Sequence, residues 1–97
     1  MTARKSSLGP SQKNKVLNRL KSVRGHLDAV IKMVEEDTYC VQVIKQIAAC
    51  RAALDRVSGI ELENHLAHCL VDQVRAGEAD HAIAELMDIL TLRKSIA

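Results

Sequence analysis

The chain has 97 residues, room for one small domain. It contains no Trp or Phe and a single Tyr, so any core is aliphatic, and no stretch approaches the about 20 consecutive apolar residues of a membrane span. The net charge of +2 hides an asymmetry: residues 1–27 carry Arg4, Lys5, Lys13, Lys15, Arg19, Lys21 and Arg24 with no acid, a local +7 on a remainder of −5.

A basic first quarter suggests an anionic partner, although the same charges would also serve as a solvated tail and helix face. No apolar region follows the basic N-terminus, as a secretory signal would require. Three cysteines cannot all pair within one chain, so free thiols in a reducing cytosol are the expected setting. No Gly-rich phosphate loop, nucleophile–base pair or carboxylate pair stands out, which argues against an enzyme.

Residues 1–10 read as a disordered basic tail and residues 11–97 as a single all-helical domain. Ser11, just after Pro10, is a plausible N-cap. From there to about Glu36, Val16, Leu20, Val23, Leu27, Val30 and Val34 alternate steps of four and three, with Leu17 and Ile31 alongside. This is an amphipathic stripe that must pack on another helix. Lys15, Arg19 and His26 flank one side of it, and Lys13, Lys21 and Arg24 the other. Glu36, Asp37 and Thr38 break the pattern, and Asp37 or Thr38 is expected to cap a second helix running to about Ala76, with Gly77 as its stop. Within it Ile44, Ile47, Leu54, Val57 and Leu62 fall near helical spacing, and Cys50, roughly 80° from the Cys40 face, reads as a core residue. A third helix over 78–94 carries Ile83, Leu86, Met87 and Leu90 on one face and Glu85 on the other. Three helices with this much apolar surface in so short a chain imply an all-α fold that oligomerises.

The chemistry concentrates between Tyr39 and Cys69. His65 and Cys69 are four apart, one turn along one face of a helix, which makes an imidazole and a thiolate two ready metal ligands. Cys40 lies about 37 Å from His65 along a continuous helix, so one chain cannot bring all three together. Folding back at Gly59 still leaves Cys40 roughly 13–20 Å past the other two. Two copies running antiparallel solve the problem: crossing between Ala53 and Leu54, where small residues cluster, they set Cys40 of each opposite His65 and Cys69 of the other. A two-fold axis then makes two identical sites. Two thiolates and an imidazole suit three-coordinate Cu(I); structural zinc wants a fourth ligand, and His68 points about 100° away from Cys69. The plainer alternative is that Cys40 and Cys69 are small buried residues and His65 lies on the surface.

Asn18 to Asp28 (Asn-Arg-Leu-Lys-Ser-Val-Arg-Gly-His-Leu-Asp), Tyr39-Cys-Val41, Lys45-Gln-Ile47, and Asn64-His-Leu66 with Cys69 resemble the copper-sensitive operon repressor (CsoR) family of bacteria, over residues 13 to 90 or so. The resemblance implies an all-α dimer of antiparallel helices forming a four-helix bundle, assembled further into a flat homotetramer. It implies Cu(I) held by Cys40 of one subunit and by His65 and Cys69 of the other. It also implies Tyr39 and Glu85 as groups that orient the ligands, and Arg19 and Arg56 as DNA contacts. Lys15, Lys21 and Arg24 are added on charge alone, whereas Cys50, His68 and His81 fall outside the family pattern.

The expected function is a cytosolic Cu(I)-responsive transcriptional repressor whose metal-free form binds operator DNA. No helix-turn-helix is apparent, so DNA would meet a basic surface of the assembly, and affinity should depend steeply on salt. Two alternatives stay open: a persulfide- or thiol-responsive repressor of the same fold, using Cys40 and Cys69, and a cytosolic metal buffer with no DNA role. Nickel and cobalt sensors of the superfamily use additional His ligands, one near the N-terminus, and no His precedes His26 here.

Overall fold

The computed structural model describes residues 9–96, and every regular element among them is helical: α1 (Pro10–Glu35), α2 (Cys40–Asn64), a π-helical turn (His65–Cys69), α3 (Leu70–Arg75) and α4 (Ala79–Ile96). The all-α reading holds. The expected second helix is made of α2, the π-turn and α3 in succession. The described residues form two compact units, residues 9–63 and residues 64–96. The tail expected over residues 1–10 lies outside the described residues up to position 8.

In the first unit the N-cap lies two residues before the expected Ser11. Gly9 is the N-cap, extended at φ −70° and ψ 166°, and its carbonyl accepts from the Lys13 N–H at 3.0 Å. Pro10 occupies the first helical position, where its fixed φ suits the helix and its missing N–H would have no intrahelical partner. The far end closes in a Schellman motif: the Thr38 N–H donates to the Met33 carbonyl (2.9 Å) and the Asp37 N–H to that of Val34 (3.1 Å). Asp37 supplies the left-handed residue at φ 57°, a conformation Asp tolerates better than most side chains. Asp37 therefore ends α1 instead of capping α2. At the start of α2 the Tyr39 carbonyl accepts the N–H groups of Gln42 (3.0 Å) and Val43 (3.3 Å).

This short turn makes α1 and α2 an antiparallel hairpin, pinned at mid-length by a 2.7 Å hydrogen bond between His26 Nε2 and Gln46 Oε1. Its buried line is Val16, Val23 and Val30 on α1 with Cys50 and Val57 on α2. The valines repeat every seven residues, the seam of coiled-coil packing. Cys50 is core, as its position suggested. The rest of the expected stripe is outside the seam: Leu20, Leu27 and Val34 on α1, and Ile44, Ile47 and Leu54 on α2, are exposed in the single chain.

The second unit packs α3 on α4. A second Schellman motif joins them, with Glu78 N–H to Gln73 carbonyl at 2.9 Å and Gly77 N–H to Val74 carbonyl at 3.1 Å. Here Gly77 takes the left-handed position at φ 80°, as its expected role of helix stop requires. The inward face of α4 differs from expectation. Ala82 is fully buried, and Glu85, Leu86 and Ile89 are half-buried, while Ile83, Met87 and Leu90 are exposed. Glu85 thus faces α3, whose Gln73 is buried against it.

Candidate metal centre and nucleic-acid interface

None of the three cysteines is in a disulfide. Cys40 opens α2 and is exposed; it borders a largely apolar cleft of about 380 Å³ with Val34, Asp37, Thr38, Val43 and Ile44. Tyr39, beside it, is exposed. His65 and Cys69 bound the π-turn, and both are half-buried. The Leu70 N–H bonds to the His65 carbonyl, five residues back, so this one turn is wider than an α-turn. Asn64 and Leu70, on either side of it, keep ordinary right-handed helical backbone. Such single π-turns are uncommon and collect at functional sites. The sequence placed His65 and Cys69 on an α-helix; the donors share one turn here too, but a π-turn.

Cys40 stands in the first unit, and His65 with Cys69 in the second. Among the described residues, no three His, Cys, Asp or Glu side chains of the chain converge as a metal site. The chain carries two parts of a donor set: a lone exposed thiol, and an imidazole with a thiol. The donors fit a soft metal by their chemistry. His65 adds a sharper observation. Its Nε2 is buried and has no hydrogen-bond partner. A buried polar ring atom left unpaired is costly, and metal-ligating imidazoles characteristically need an acceptor for their second nitrogen.

Glu85, expected near the imidazole, is occupied elsewhere. Its Oε1 accepts from Gln73 Nε2 at 2.8 Å and lies 3.4 Å from His81 Nε2. Gln73 was not singled out in the sequence, and His81 was placed outside the family pattern. The signal that could have found Gln73 is its place four residues after Cys69 and hence on the same helical line. His68 is exposed.

The basic residues sort by face. Arg19 of α1 and Arg56 of α2, 37 positions apart in sequence, line one open cleft of about 210 Å³ together with Ser22, Val23, His26, Ala53 and Val57. Lys15 precedes Arg19 by one turn on the same face of α1. Lys21 and Arg24 are exposed but do not line the cleft; at 100° per residue they sit roughly 140–160° around α1 from Arg19. The His26–Gln46 bond fixes the imidazole at the edge of this cleft. Two guanidinium groups, a hydroxyl and an imidazole in one concave, partly apolar surface can bind phosphate oxygens.

Residues 12–91 match the family model of the metal-sensitive transcriptional repressors. The chain is 47% identical over 78 residues to the copper-sensing transcriptional repressor CsoR of Mycobacterium tuberculosis (strain ATCC 25618 / H37Rv), an alignment covering 80% of this chain and 66% of that protein. The chain thus spans about two-thirds of the length of that relative. Its fold is similar to that of the copper-sensing repressor CsoR with Cu(I) from Geobacillus thermodenitrificans NG80-2, with a TM-score of 0.81, 34% identity, and coverage of 95% of this chain and 92% of the other. The nickel-responsive transcriptional regulator InrS is also similar, with a TM-score of 0.69, 32% identity, and coverage of 95% and 99%. With four-fifths of its length matched by the family model and a relative at this identity, the chain belongs to the metal-sensitive transcriptional repressor family.

Proposed function

We propose that the chain is a cytosolic Cu(I)-responsive transcriptional repressor. Its metal-free form binds operator DNA through a basic surface centred on Arg19 and Arg56, with Lys15 beside them and Lys21 and Arg24 adding charge from the other flank of α1. Cys40 of one subunit and His65 and Cys69 of another hold Cu(I) as a soft three-coordinate site. Tyr39 and Glu85 tune that site. Metal binding lowers DNA affinity, and by linkage DNA weakens metal binding by the same factor.

The observation that carries this reading is the donor set itself: an exposed thiol in one unit, and a thiol with an imidazole, whose buried Nε2 lacks a partner, in the other. A second copy supplies what one chain lacks. Assembly has independent support, because the leucines and isoleucines of α1, α2 and α4 that are about half exposed in the single chain would each gain roughly 1 kcal/mol on full burial. A homodimer built on α1 and α2, paired again into a homotetramer, would cover them. The relatives named copper-sensing add to the case.

The test is operator binding by fluorescence anisotropy under anaerobic conditions. Release at one Cu(I) per chain, with Ni(II) and Zn(II) inert, is the expected result. Release by a persulfide donor alone would instead favour a thiol-responsive repressor, a reading that the exposure of Cys40 keeps in play. Cu(I) binding with no DNA affinity in any state would leave a metal buffer.

A further inference from the structure

We infer that His26 is a third phosphate-binding group of the Arg19–Arg56 cleft, donating through Nδ1 and taking up a proton from solvent as DNA binds. The inference rests on the proposed reading of that cleft as a DNA surface, and it gives that surface a further contact and a pH dependence. Its starting point is the 2.7 Å bond between His26 Nε2 and Gln46 Oε1. A carboxamide oxygen only accepts, so Nε2 carries a proton and donates it to Gln46. In the neutral ring the unprotonated nitrogen is then Nδ1. Nδ1 has no hydrogen-bond partner among the described residues, and it is not among the buried side-chain atoms left unpaired, so it reaches solvent. The ring is half-buried and lines the cleft of about 210 Å³ with Arg19, Ser22 and Arg56. One nitrogen is thus pinned to α2, and the other is open to a ligand.

A phosphate oxygen accepts hydrogen bonds, and so does an unprotonated Nδ1, so the two cannot bond without a proton between them. Once protonated, Nδ1 donates a charge-assisted bond, and the ring adds a positive charge to those of the two arginines. Gln46 Oε1 accepts from Nε2 in either state, so the ring keeps its orientation as the second proton comes and goes. The charged groups that share the cleft are Arg19 on α1 and Arg56 on α2, both cationic. On α1, Ser22 and Val30, one turn to either side of His26, are uncharged. On α2, Gln42 is neutral and Cys50 is a thiol buried in the seam, each one turn from Gln46. No carboxylate lines the cleft, so a phosphate brings the negative charge that imidazolium meets there. The proton is therefore held more tightly in the DNA complex than in the free protein. By linkage, binding takes up protons, and DNA affinity rises as pH falls through the range where imidazoles change charge, about pH 8 to 5.

The experiment measures operator affinity of the full metal-free chain at pH 6 and pH 8, at fixed ionic strength, by fluorescence anisotropy. Two variants accompany it. His26→Gln can still reach Gln46 but offers nothing at the Nδ1 position, and His26→Asn places an amide nitrogen there that does not titrate. The wild type should bind about tenfold more tightly at pH 6 than at pH 8 for each cleft engaged, which corresponds to roughly half a proton taken up across the interval. His26→Gln should cut that gain to less than about twofold, with its affinity falling furthest below wild type at pH 6. His26→Asn should flatten the profile while holding wild-type affinity at pH 8. A loss of affinity that is equal at both pH values marks a structural role and overturns the inference. An NMR titration of the imidazole carbon-bound protons, with and without the operator duplex, needs no variant. The His26 signals should keep their imidazolium shifts to a higher pH in the complex, and a titration left unmoved or shifted to lower pH overturns the inference. Operator binding with no pH dependence overturns the inference alone, whereas a wild-type chain that binds no operator at either pH overturns the proposed function as well.

Discussion

Arg56→Ala removes one of the two guanidinium groups that α1 and α2 bring to a single cleft. If that group neutralises one phosphate, its loss makes the slope of log affinity against log salt shallower by about 0.9 per cleft engaged with the duplex. Counterion release then predicts a loss of about 15-fold at 50 mM salt and about fourfold at 200 mM for one cleft, and the square of those factors for two. The loss must therefore shrink as salt rises, which a folding defect would not produce. Lys32→Ala is the matched control, because Lys32 lies outside the cleft and pairs with Glu36 at 3.9 Å on the exposed surface of α1. The assay is a salt series of operator-binding isotherms with metal-free protein. A slope left unchanged by Arg56→Ala, or lowered equally by Lys32→Ala, would refute the assignment of this cleft to DNA. Arg19→Ala should repeat the result, and the two changes in slope should add.

Cys69→Ala should leave operator binding intact and abolish its response to Cu(I); release of that variant at the wild-type Cu(I) concentration would sink the donor assignment. Cys50→Ala, by contrast, should keep the full copper response and lose only stability, since Cys50 is buried in the hairpin seam. Val23→Ala removes two methyl groups from a site 9% exposed and should cost about 1.5–2.5 kcal/mol in urea unfolding at fixed protein concentration. Leu27→Ala acts on a side chain 49% exposed in the single chain, so its main effect should be weaker self-association by sedimentation. Gly77→Ala meets no atom within 4 Å, so its cost is torsional, about 1 kcal/mol for forcing a Cβ into φ +80°. A neutral result there would mean that the turn between α3 and α4 adopts another conformation.

Much of this protein follows from local properties that a sequence displays directly. Helical periodicity is a property of each segment alone, and so are the break at Glu36 to Thr38 and the stop at Gly77. The basic first quarter, the core placement of Cys50 and the spacing that makes Cys40, His65 and Cys69 the proposed donors were legible for the same reason: they depend on residue type and position. What stayed hidden depends on neighbours distant in sequence. The apolar arc of α1 is wide enough to pack in several orientations, and only α2 selects the Val16, Val23 and Val30 line while leaving Leu20, Leu27 and Val34 outside. The face of α4 that turns inward is chosen by α3, which reverses the expected exposure of Met87 and brings Glu85 to Gln73. Arg19 and Arg56 share a cleft because the antiparallel hairpin folds one segment back on the other. The π-turn at His65 to Cys69 has no signal in periodicity, since a single widened turn shifts the register by only one residue. Residue type and spacing along the chain thus determined the helical segments and the candidate groups, and the tertiary structure decided which faces are buried and which side chains are hydrogen-bonded, because those are settled between elements.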